Sequence, residues 1–166
     1  MIDYIEKGAG LHEAIRQAGH WLRQENGEWV SSNDELVQLI INDYSLVQAR
    51  ARKCAEVTAH AKVLRDKVVS TISPGEMASW SLKALEATKF SASGNAADCP
   101  MLSLEAQARN IPLADLVAKV HGNTQRFSMA EAMIGGTDGR HRDTITALDD
   151  FEAINNYDFS SGWPVV

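Results

Sequence analysis

What this 166-residue sequence lacks narrows it first. It has only two cysteines, Cys54 and Cys99. They lie far apart and form no CxxC pair, so they are read as free thiols rather than as a disulfide framework or a thiolate metal site. No apolar run approaches the ~20 residues that span a bilayer. No basic segment leads into an apolar one at the start, so no signal peptide is expected. A surplus of cations is missing as well. The net charge of −6 argues against general affinity for nucleic acid or an anionic membrane, because phosphate binding needs excess Lys and Arg. The one basic cluster, Arg50, Arg52 and Lys53 in QARARKC, spreads over more than one helix face and reads as solvated surface.

Catalytic signatures are equally scarce. His12, His20, His60, His121 and His141 form no HExxH and no i,i+4 pair, so no metal site is expected. GxSxG, paired carboxylates and a supported Cys–His pair are absent, and no cofactor is expected. IGGTDG, residues 134–139, lacks the lysine of a P-loop, the spacing of a dinucleotide fingerprint and a preceding strand. It reads as a turn or kink. The densest polar group is RHRD, residues 140–143. It could make His141 and Asp143 an acid–base pair, but a charged helix start is the preferred reading.

What is present is helix, with one exception. Hydrophobic content of 45% and charged content of 23% suit a globular chain able to bury a core. The exception is GHWLRQENGEWV, residues 19–30. Asn26-Gly27 suits a two-residue type I′ turn, whose central positions both need positive φ. That turn pairs Gln24 with Trp29 and Arg23 with Val30. Leu22 and Trp29 then share one face, and Trp21 and Val30 the other. A hairpin this small is unstable alone and must pack on its neighbours. GLHEAIRQAG before it reads as a short helix. SNDELVQLIINDY after it starts a second, with Ser32 as N-cap and Glu35 completing a capping box.

From Ser45 the spacing of Cys54, Val57, Ala61, Leu64, Val68 and Thr71 predicts a helix seam. Ser73-Pro74-Gly75-Glu76 is a strong helix start, followed by an apolar face of Met77, Trp80, Ala84, Leu85 and Thr88. SASGNAADCP reads as a loop and MLSLEAQARN as a short helix. Pro112 opens a longer helix to the expected kink at 135–139, and RHRDTITALDDFEAI forms a last one. The expected fold is mainly α: a helical bundle with a small N-terminal helix–β-hairpin–helix module. The module would span 1–44, and the bundle domain with its turn-rich C-terminal tail 45–166. Trp29 and Trp80 are read as core. Trp21, on the outer hairpin face, and Trp163, in the tail, are the candidate partner-binding residues.

Two stretches carry a resemblance. YIEKGAGLHEAIRQAGHWLRQENGEWVSSNDELVQLIINDY resembles the N-terminal segment of small proteins encoded among the tail genes of tailed bacteriophages and prophages. There a glycine-containing opening precedes a Trp–turn–Trp stretch and a VQ.II..Y helix. The C-terminal part, from LSLEAQARNIPLADLVAKV to GRHRDTITALDDFEAINNYDFSSGWP, is similar to the end of the same proteins, with its tyrosine and GWP. Residues 50–98 are only generically helical. The resemblance implies a non-enzymatic tail-associated structural protein, a tail-fibre or baseplate component, that contacts other phage tail or fibre proteins. It would sit in the host bacterial cytoplasm during assembly or in the virion tail. It is compatible with a homo-oligomer. A tail-fibre assembly chaperone is the alternative within that class, and a small metal-dependent hydrolase the alternative outside it.

Overall fold

The computed structural model describes residues 2–165. Its elements run α1 (Ala9–Gln17), β1 (Leu22–Glu25), β2 (Glu28–Ser31), α2 (Asp34–Asp43), α3 (Leu46–Val68), α4 (Pro74–Ser93), α5 (Pro100–Arg109), α6 (Leu113–Ala147) and α7 (Phe151–Asn156). The mainly α fold with one two-stranded antiparallel hairpin is therefore as the sequence predicts. No helix among the described residues is long and apolar enough to cross a membrane.

The hairpin register follows from its turn. Asn26 and Gly27 take φ of 50° and 87°, and Gln24 pairs with Trp29 and Arg23 with Val30. Helix starts also follow from chemistry. The Ser73 hydroxyl accepts from the Glu76 N–H at 3.1 Å, with Pro74 at the first helical position. The α2 start differs from expectation by one residue. Asn33, not Ser32, is the N-cap, accepting from the Leu36 N–H at 3.1 Å. Ser32 instead fixes the hairpin, as described below.

The chain forms two compact units. The first comprises Met1–Lys62 and Gly136–Trp163, the second Val63–Gly135 and Pro164–Val166. This division does not follow the sequence-based split at residue 44. The first half of α3 and the end of α6 group with the hairpin module instead.

In the first unit the core joins Ile2, Leu11, Ile15, Val37, Ile41, Tyr44, Ala49 and Ile154, with Leu22 and Trp29 packed on its edge. Leu22 and Trp29 are thus the inward hairpin face. Trp29 stacks on Tyr4 with ring centres 4.0 Å apart. Gly10 is required by space, since a Cβ there would collide with the Tyr44 hydroxyl. Lys7 is buried and donates through Nζ to the Ile41 and Tyr44 carbonyls at 2.6 and 2.7 Å, so a cation closes the C-terminal end of α2. The basic cluster does similar work, contrary to the solvated reading. Arg50 donates to the Leu148 carbonyl at 2.8 Å, and Lys53 to the Asn155 carbonyl at 3.0 Å, tying the ends of α6 and α7 to α3.

In the second unit, Ala87, Cys99, Leu102, Ala106, Leu116 and Val117 form the core. Here α4 presents a different face from the one its apolar spacing suggests. Leu85 is exposed and Glu86 buried. The reason is the start of α5, where Cys99 supplies no side-chain cap. The Glu86 carboxylate takes that role, accepting from the Leu102 N–H at 2.9 Å and the Met101 N–H at 3.3 Å. Both cysteines are free thiols.

No turn interrupts residues 135–139, and α6 is continuous from Leu113 to Ala147. Ile134, Thr137, His141 and Ile145 are all buried at helical spacing on either side of and within the glycine-rich stretch. Gly135, Gly136 and Gly139 are not among the buried residues, and each costs about 1 kcal/mol relative to Ala without breaking the helix.

Candidate functional site

Two places gather functional side chains in the first unit: the C-terminal tail and the hairpin. At the tail, His141 is buried in the last two turns of α6, not at a charged helix start. Its Nε2 lies 3.0 Å from the Ser161 carbonyl, which can only accept, so Nε2 carries the proton and donates. In the neutral ring Nδ1 then accepts from the Tyr157 hydroxyl at 2.8 Å. One turn away, the Thr137 hydroxyl donates to the Gly162 carbonyl at 3.0 Å. His141 is thus a clasp for residues 157–162. With both nitrogens engaged, it cannot take a metal without breaking a bond to the tail. Asp143 stands two residues on, and i,i+2 positions on a helix do not face each other. The structure does not assemble an acid–base pair there.

Trp163 belongs to the same clasp. It is half-buried, its ring centre 4.9 Å from that of His60 and 5.6 Å from that of His141, and its indole N–H donates to the Phe159 carbonyl at 2.7 Å. Lys53 sits 5.5 Å over the Phe159 ring. Asp158 has its carboxyl pulled below the usual range, first by the Ser160 backbone N–H, which donates to it at 2.8 Å. The tail folds back as the aromatic pattern predicts. In doing so it uses Trp163 internally, as an anchor of the tail.

Trp21 is placed differently. Just before β1, its N–H donates to the Ser32 hydroxyl at 3.2 Å, and its carbonyl accepts from the Ser32 N–H at 3.1 Å. Both backbone polar groups are therefore fixed. Its side chain is 46% exposed, with the Arg23 guanidinium 4.6 Å over the ring. That cation is itself paired with Glu25. A rigid backbone thus holds a large aromatic ring at the surface, flanked by one stacked cation. Sequence reasoning found the residue from its hairpin face. It missed Ser32 as the clamp, because a Ser ahead of an acidic helix start reads as a cap.

Elsewhere the polar pairs resolve as structural. His121 Nε2 lies 3.0 Å from the Ser91 hydroxyl. That hydroxyl already gives its one proton to the Ala87 carbonyl at 2.9 Å, so His121 donates and cannot activate the serine. His20 Nδ1 is 3.0 Å from the exposed Ser32 hydroxyl, and among the described residues no third group orients the imidazole. Tyr4 meets His12 at 3.1 Å through its hydroxyl. Burial and the nearby Glu6 charge push that phenol above its usual range. No group of three or more His, Cys, Asp or Glu among the described residues could hold a metal ion. In the second unit a cavity of about 160 Å³ is lined by Val68, Val69, Phe127 and Ile134, with Arg65 and Glu131 at its edge. Asp66 lines it too, and Arg65 Nε donates to both Glu131 carboxylate oxygens, at 2.9 and 3.1 Å. No family model matches the chain, and neither a curated protein nor a solved structure matches it.

Proposed function

We propose that this protein works by docking, as a non-enzymatic tail-associated protein of a bacteriophage or prophage that contacts other tail or fibre proteins through the hairpin. The observation that carries the docking part is Trp21: an aromatic ring 46% exposed on a backbone held at both polar groups by Ser32. Tryptophan is the residue most enriched among interface hot spots, and a pre-ordered one loses little freedom on binding. The tail-gene context comes from the resemblance of the two ends of the chain. The polar constellations of the first unit fit the same reading, since His141, Thr137 and Trp163 are all committed to holding the tail.

The test is co-purification from an induced lysogen carrying an affinity-tagged chain. Trp21→Ala should retain the parental fold and lose its tail-protein partners, because truncating an interface tryptophan typically costs about 2 kcal/mol or more of binding. Mass spectrometry of purified particles separates a stoichiometric component from an assembly chaperone that departs. Retention of tail partners by Trp21→Ala would remove the hairpin from the account.

A further inference from the structure

The charge of this chain is unevenly placed. Its first 45 residues hold eight acidic and three basic side chains, which is −5 of the overall −6. The three cations of this segment are all committed. Lys7 is buried on the α2 carbonyls, Arg16 pairs with Glu13, and Arg23 pairs with Glu25. The helix α2, DELVQLIIND, has no cation of its own. Its core side is Val37 and Ile41. On the opposite side Leu36 and Leu39 are 44% and 53% exposed. Glu35 and Asp43 lie four residues before and after Leu39, on the same helix face. Both carboxylates are exposed and have no partner among the described residues. Asp43 is also the last residue of α2, at the negative end of the helix dipole, and the cation at that end, Lys7, is spent on the Ile41 and Tyr44 carbonyls.

Two exposed leucines bracketed by the unpaired carboxylates of Glu35 and Asp43, on a helix whose own sequence holds no cation, define the chemistry of what would cover them. We propose that the outward face of α2 docks a cationic amphipathic segment of a partner protein. Its apolar residues cover Leu36 and Leu39, and its Lys or Arg side chains pair with Glu35 and Asp43. This rests on the reading that the protein acts by docking, and it adds a second contact surface and the partner's chemistry to it. A helix laid on a helix in this way needs apolar anchors at one-turn spacing, and the leucines supply them. The charges would select the partner and speed its encounter more than they would add affinity.

The experiment uses the full chain and two synthetic peptides with the same helical pattern of leucines, one with lysines and one with glutamates at the remaining positions, followed by fluorescence anisotropy. The Lys/Leu peptide should bind at least about tenfold more tightly than the Glu/Leu peptide, and its affinity should fall as salt rises from about 0.05 to about 0.5 M. The pair Glu35→Gln with Asp43→Asn should weaken it about tenfold. Leu36→Ser with Leu39→Ser should abolish saturable binding. Glu25→Gln with Glu28→Gln removes the same charge from the hairpin and should leave binding within about twofold. If the hairpin variant weakens binding as much as the α2 variant, the attraction is diffuse and the proposal fails. It also fails if neither α2 variant changes binding, or if the two peptides bind alike. Trp21→Ala enters the same titration. Peptide binding intact in a chain that has lost its tail partners leaves the α2 face standing, whereas lost peptide binding with retained tail partners removes this face alone.

Discussion

Glu86→Ala should be the most damaging single change to the second unit. Its carboxylate accepts from two N–H groups at the start of α5, at 2.9 and 3.3 Å, and Leu102, which owns the shorter bond, is fully buried. A hydrogen bond to a charged group contributes about 1.5–3 kcal/mol, and a buried donor left without a partner costs a further 1–3 kcal/mol. Relief from holding a carboxylate inside an apolar cluster offsets part of this. The longer bond to Met101 counts for less than the shorter one. The expected net loss is therefore about 2–4 kcal/mol. Glu86→Gln keeps the shape and one acceptor but turns an N–H toward a donor, so about half that loss is expected. Urea unfolding gives the free energy, and amide exchange at Leu102 reports the cap itself, so the two together separate loss of the cap from global weakening. If Glu86→Ala changed stability by under about 0.5 kcal/mol and left Leu102 exchange unaltered, the carboxylate would not be the cap, and the inward turn of α4 would need another cause.

Other outcomes follow from the same geometry. Ser73→Ala and Asn33→Ala should each cost about 1 kcal/mol, and an Asn33→Ala melt matching the parent would return the α2 cap to Ser32. Gly27→Val should destabilise the first unit by about 1–2 kcal/mol, because φ of 87° strains a β-branched residue; a parental melting temperature would contradict the type I′ turn. Lys83 at 2.8 Å and Arg109 at 3.1 Å hold the Glu105 carboxyl below its ordinary 4.5. A carboxyl lowered on folding adds stability above its unfolded value and loses it on acidification. Glu105→Gln should therefore trail the parent by up to about 1 kcal/mol at neutral pH, and the gap should close as pH falls below 4.5. A gap unchanged at about pH 3 would show that the ion pairs contribute nothing.

The hairpin was legible because its determinants are local. Asn-Gly imposes the turn, the turn imposes the register, and alternation then sends Leu22 and Trp29 inward and Trp21 outward. Ser73-Pro74 was legible for the same reason. What escaped depends on partners distant in sequence. Local spacing cannot say that Glu86 turns inward to serve Leu102, sixteen residues away. Nor can it say that Arg50 and Lys53 reach carbonyls about a hundred residues on. Three glycines within five residues read as a break, because propensity weighs only the helix. There α6 buries Thr137 and His141, which bind the tail, a contact that spacing alone does not show. At the candidate site, Trp21 and Trp163 look alike in sequence, both aromatic and both near turns. Only the tail's return to His60 and His141 distinguishes the anchor from the exposed ring.

That distinction is the centre of the account, and one paired measurement tests it most directly. Trp21→Ala and Trp163→Ala, each tagged and recovered from an induced lysogen, would be compared for melting temperature and for tail proteins bound. Trp21→Ala should melt like the parent and come away without its partners. Trp163→Ala should melt several degrees lower, as expected for loss of ~1–3 kcal/mol of packing in a chain of this size, while its folded fraction still captures them. The reverse pattern, with Trp21→Ala unstable and partner binding lost only in Trp163→Ala, would contradict the account and move the contact surface from the hairpin to the tail.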